Sequence, residues 1–241
     1  MNNFDRLYSE TTEARDCFLS IPLVKQALTS GASRELYIDF LTQAYHHVKH
    51  TYPLLAFASA LTHDERYRDA LFKYMKEERG HDKWILDDIR SLGGDADIVA
   101  GGKPGSPCQI MVGYAYYAIQ WISPYTFLGM VHVLEGLSVM LAHNVASTVQ
   151  RSLGVDGTAG FSYLHSHGAL DIEHVDLFKG LINGFEDRHA EDFVIETARV
   201  MYRLYGAIIE DMGVRAKEKL ECSLRESGQS LLGLDLESAG R

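Results

Sequence analysis

Cysteine is scarce: three in 241 residues, Cys17, Cys108 and Cys222, far apart and in no Cys-x-x-Cys spacing. That excludes a disulfide framework and a cysteine-rich zinc site. It suits a reducing compartment, so a cytoplasmic location is expected. Proline is also scarce, 5 of 241, below the average of about 5%, which leaves room for long helices. Basic residues are outnumbered, 23 Lys and Arg against 33 Asp and Glu, for a net charge of −10. With no basic stretch, neither nucleic acid nor a membrane surface is expected as a partner. No unbroken apolar run reaches the length of about 18 residues that marks a transmembrane helix. The opening MNNFDRLYSETTEARDCF has early acids and no apolar core of a secretory signal.

What is present is apolar residue in helical rhythm. Apolar residues make up 46% of the chain, enough for a sizeable core. Their spacing is helical nearly throughout, and strict alternation is not found. It predicts helices over about 4–28, 33–61 with a kink at Pro53, and 65–92, followed by a Gly-rich connector at 93–107. Further helices are predicted over about 108–121, 124–153, 158–183 and 187–212. Ser33 reads as an N-cap, and Ser123-Pro124 as an N-cap with a first-turn proline. The expectation is one all-α domain over 1–241, a bundle of about seven helices with a core over 4–212. Residues 213–241 form a tail that is helical at first and then frays.

Histidine is abundant, with 11 residues. In EERGHDKW (77–84), Glu78 and His81 are three apart, about 60° on one helix face. Such pairs often merely decorate solvated faces. In HSHGALDIEH (165–174), His167, Asp171 and His174 fall within about 40° of one stripe at 100° per residue, with apolar neighbours. Glu135 stands alone in FLGMVHVLEGLSVMLAH, where an unpaired buried carboxylate is costly. It needs a cation, a buried partner or a proton, and His132 is a candidate partner or competing ligand. Gly136 implies close approach of another helix. The six residues Glu78, His81, Glu135, His167, Asp171 and His174 offer oxygen and nitrogen donors without thiolate. That set suits iron or manganese and not a structural zinc. Six ligands suit two metals that keep positions open for water, O₂ or substrate. Tyr45 and His47 are candidate hydrogen-bonding neighbours of a ligating carboxylate.

This pattern resembles the heme-oxygenase-like di-iron oxidases, within the wider TenA, pyrroloquinoline-quinone-synthase-C and heme oxygenase superfamily. Members carry a Glu and a His on one helix, a Glu in an apolar helix, then His-x3-Asp-x2-His on a later helix. Here Glu78 and His81, Glu135 in LEG, and His167, Asp171 and His174 match, and FLTQAYHHVKHTYPLLAFASAL (40–61) resembles the second helix. The resemblance implies a seven-helix heme oxygenase-like bundle, often a homodimer. It implies two Fe(II), with O₂ as co-substrate, and oxidation of a small organic substrate. Departures separate the chain from its cousins. No His precedes His46, where heme oxygenases place the proximal ligand. The central helix has Glu135 and no thiaminase nucleophile, and Gln43-Ala44-Tyr45 lacks the Asp of the thiaminase element. The alternative is a metal-free member of the fold, either a cofactor-free oxidase or a non-enzymatic ligand-binding or regulatory protein.

Overall fold

The structure, a computed structural model, describes residues 2–226 and all their side chains except those of 167–173 and 226. The described residues form twelve helices and no strand. The first three are α1 (Asn3–Glu10), α2 (Thr12–Ser20) and α3 (Pro22–Thr29). One helix is expected over this stretch, but Pro22 pushes Ile21 to an extended ψ of 127° and opens α3 at its first turn. Next come α4 (Arg34–Val48) and α5 (Thr51–Leu61). The Ser33 side chain caps α4 by accepting from Leu36 N–H. The chain turns at Lys49-His50 and not at Pro53, which sits in the first turn of α5, where no helical N–H is lost.

The predicted 65–92 helix is also two, α6 (Glu65–Glu78) and α7 (His81–Ser91). Arg79 is extended and Gly80 takes φ +93°, a left-handed conformation that glycine adopts without steric cost. The connector at 93–107 holds a short helix, α8 (Ala96–Gly101), capped by Asp95. Then follow α9 (Ser106–Trp121) and α10 (Thr126–Leu153). Helix α10 starts two residues later than Pro124 would place it: Ser123 accepts from Tyr125 N–H at 3.3 Å, a turn ahead of the helix. The last two helices are α11 (Ser162–Asn183) and α12 (Arg188–Glu226), which runs on past the expected end near 212.

Helix α10 is the central member. It packs most extensively on α11 and α12, and also on α3 and α9. Phe127, Leu128, Met130, Val131, Val133 and Leu137 are buried along it. By length and composition α10 is apolar enough to cross a membrane, and 61% of its apolar window is buried inside the bundle. The close approach expected at Gly136 lies elsewhere: a Cβ on Gly136 meets nothing within 4 Å. At Gly129 a Cβ would stand 2.7 Å from the Val194 carbonyl oxygen. Glycine there lets α10 touch the backbone of α12.

Candidate metal centre

Four helices converge on one buried corner. Glu78 is the last residue of α6, His81 the first of α7, and Glu135 lies mid-way along α10. His174 projects from α11, and all four side chains are buried. His81 Nδ1 is 3.2 Å from Glu78 Oε2. His174 Nδ1 is 3.7 Å from Glu135 Oε1 and 3.9 Å from Glu78 Oε1. Donors bound about 2.1 Å from a shared ion stand about 3 Å apart when adjacent and about 4.2 Å apart when opposite. These separations therefore fit donors gathered for a cation. Among the described residues no three such side chains form a finished cage for one ion. The side chains of His167 and Asp171 lie outside the described residues.

Backbone electrostatics favour the same occupant. Glu77 and Glu78 end α6, at the negative pole of its dipole, where carboxylates are disfavoured and a cation is welcome. His81 opens α7 as its first residue, directly after the left-handed turn at Gly80. The Glu78–His81 pair thus meets across a break, not on one continuous helix face as its spacing predicts. Trp84 stacks on His81 with ring centroids 4.2 Å apart, and Tyr74 meets His174 edge-on at 4.4 Å. Both rings limit rotation of the imidazoles.

Glu77 is a residue that spacing alone passes over, because it points about 100° from Glu78 on an ideal helix. Its Oε2 lies 2.9 Å from His174 Nε2. With the proton on Nε2, His174 donates to Glu77, and its Nδ1 lone pair faces the space bordered by the Glu78 and Glu135 carboxylates, where a cation could meet all three. Carboxylates in this position orient a ligating histidine and raise its basicity. Glu77→Ala is expected to weaken Fe(II) or Mn(II) affinity about 10- to 100-fold, while the metal-free fold loses no more than the roughly 1–3 kcal/mol of one unsatisfied donor. Anaerobic titration calorimetry checks it.

The other expected neighbours are placed differently. His132 does not pair with Glu135. Its Nε2 is 3.4 Å from Thr11 Oγ1, and its ring meets Phe4 and Tyr202 edge-on. Three residues of helix rotate it onto the α1 and α12 side. Tyr45 packs in the second apolar cluster with Ile85 and Ile89, with Lys49 over its ring. His47 is buried, edge-on to Tyr205, and borders the same void as Glu78 and Glu135. Burial pushes His46 down to about 4, helped by Lys49 and His50. Burial, with Arg15 adding to it, also pushes His132 down to about 4. The unfolded chain binds these protons near the ordinary histidine value of about 6.5. Between that value and 4 it therefore holds more protons than the folded chain, and stability falls as pH falls. Each histidine is expected to cost about 1–2 kcal/mol between pH 7 and pH 5. Urea unfolding at the two pH values checks this, and His132→Gln should remove one share.

Helix α11 is positioned by a carboxylate from α7. Asp88 is buried and accepts from Ser162 N–H at 3.0 Å, Ser162 Oγ–H at 2.8 Å and Tyr163 N–H at 2.8 Å. It serves the N-terminal amides of α11 as a cap borrowed from another helix. Cys108 is buried in α9, where burial pushes its thiol up to about 11, which keeps it protonated and a weak nucleophile at neutral pH.

Against known proteins, residues 38–206 match the family model described as an iron-containing redox enzyme. No curated protein matches the chain. Among solved structures, the chain is similar to a domain of unknown function with a heme oxygenase-like fold from Shewanella denitrificans. The TM-score is 0.81 at 22% identity, covering 94% of this chain and 96% of that one. It is also similar to heme oxygenase-1 from Synechocystis in complex with heme, with TM-score 0.71 and 12% identity over 94% and 99%. A TenA homolog from Pseudomonas syringae gives TM-score 0.71 and 11% identity over 86% and 91%. At these identities the structures establish the fold, a heme oxygenase-like helical bundle.

Proposed function

The chain belongs to the family of iron-containing redox enzymes, and on that premise we propose that it is an O₂-dependent, non-haem di-iron oxidase of a small organic substrate. The observation that carries the reading is the convergence of Glu78, His81, Glu135 and His174 at separations that fit shared cations. Glu78, His81 and a share of Glu135 would hold one iron. His167, Asp171 and His174 would hold the other. The donor chemistry fits: buried carboxylates at a helix C-terminus are stabilised by divalent cations, and the imidazoles complete an oxygen and nitrogen set.

When bound, the irons would supply reduction of O₂ and oxidation of the substrate. The protein's own part follows from its geometry. Glu77 holds His174 with Nδ1 facing inward, while Tyr74 and Trp84 fix the imidazole planes. A void of about 60 Å³ borders Glu78 and Glu135 and is walled by Phe127, Met130, Val131 and Leu134. Its apolar wall limits water beside the reacting groups.

Anaerobic reconstitution with Fe(II) tests the reading. Close to two equivalents of iron per chain are expected, with a marked loss in His174→Ala. Less than half an equivalent, unaffected by His174→Ala, would overturn the di-iron assignment and favour a metal-free member of the fold.

A further inference from the structure

A second void adjoins the first. It has a volume of about 150 Å³ and follows Leu134, Leu137, Leu141, Val145 and Val149. These form one stripe of α10 at helical spacing, and from 134 to 149 the stripe covers about 22 Å. A compact cavity of about this volume admits one benzene ring. Its lining from Leu134 to Val149 makes this void an elongated channel along α10 and not a compact one. His47, Leu134, Ser138 and Tyr163 border both voids, so the channel ends beside Glu78 and Glu135.

Its other end holds an unanswered polar group. Tyr37 borders the channel from α4, ten residues before His47, or about 15 Å along the helix. It is 2% exposed, and its hydroxyl has no hydrogen-bond partner among the described residues. Buried polar groups normally have one. The negative charge of Asp88 acts on Tyr37, which disfavours an anionic group there.

We propose that this channel binds the substrate as an unbranched aliphatic chain with a neutral hydrogen-bonding head. The head meets the Tyr37 hydroxyl, and the chain runs along α10 to the opening between His47, Ser138 and Tyr163. Carbons remote from the head reach Glu78 and Glu135. The oxidation of such a substrate rests on the di-iron reading; its binding does not.

The test uses metal-free protein and calorimetry with the series hexan-1-ol to dodecan-1-ol, with adamantan-1-ol as a compact comparison. Affinity is expected to rise about three- to fourfold per added methylene until the channel is filled. Decan-1-ol is expected to bind at least tenfold more tightly than adamantan-1-ol. Tyr37→Phe should weaken decan-1-ol about three- to tenfold, and Ala142→Phe, which fills the channel, should abolish its binding. Should Ala142→Phe fail to fold, the wild-type series and Tyr37→Phe still decide. A flat series, adamantan-1-ol binding as tightly as decan-1-ol, or an unaltered affinity in Tyr37→Phe overturns the proposal. Chain binding without iron uptake would sink only the di-iron reading, and iron uptake without chain binding only this one.

Discussion

Glu135→Ala is expected to change stability in opposite directions with and without metal. In metal-free protein the melting temperature should hold or rise. Glu135 and Glu78 are both buried, and both approach the Nδ1 of His174. Removing one of two desolvated carboxylates lifts a like-charge penalty and a desolvation cost. In the presence of Fe(II) or Mn(II) the order should reverse. A ligand held only by the folded state stabilises it by about 2.7 kcal/mol at a concentration of 100 Kd, or roughly 5–10 °C for a chain of this size. That gain should vanish in Glu135→Ala. Thermal scans with and without metal check both signs. A variant destabilised in both conditions would show that Glu135 serves packing and not a cation.

Asp88→Ala is expected to be the most damaging single substitution outside the proposed centre. It removes three hydrogen bonds at once, two of them to backbone amides at the start of α11. Those part-buried amides lose a charged acceptor, and a hydrogen bond to a charged group is worth about 1.5–3 kcal/mol. A total loss of about 3–5 kcal/mol follows, or roughly 8–15 °C in melting temperature. Asp88→Asn keeps an acceptor oxygen and should recover part of the loss. Hydrogen exchange should localise the added opening to the first turns of α11. Iron uptake should fall as well, since His174 rides on that helix.

Much of this was legible in the residues, and the exceptions have physical causes. Helical periodicity predicted where helical chain runs, but not where it bends. Pro22 broke the first segment because it forces its predecessor out of helical geometry, whereas Pro53 fell in a first turn and bent nothing. Glu78 and His81 do meet, yet through the left-handed turn at Gly80, which a count of 100° per residue cannot contain. That count also hides Glu77, whose partner His174 comes from another helix. Gly129 and Gly136 look alike in the sequence, and only the packing of α12 separates them. Asp88 gives no local sign of its role, because the amides it serves lie 74 and 75 residues further on. His132 sits near Glu135 in the chain, but the offset of three residues turns it about 60° onto the neighbouring face, toward Thr11 and Phe4.

Helix α7 begins with His81 and carries Asp88 seven positions later, which sets a length as well as a contact. The seven intervening steps amount to about 10.5 Å and nearly two turns. They fix how far the α11 entrance stands from the corner at Glu78. Insertion of one residue between 82 and 87 would advance Asp88 by about 1.5 Å and swing it by about 100°, out of line with Ser162 and Tyr163. The same insertion in the connector around 102–105 would be absorbed by backbone outside any long helix. The span from His81 to Asp88 is therefore one that chain-length variation must leave alone, so functional versions of this bundle should differ in the connector far more readily than in α7.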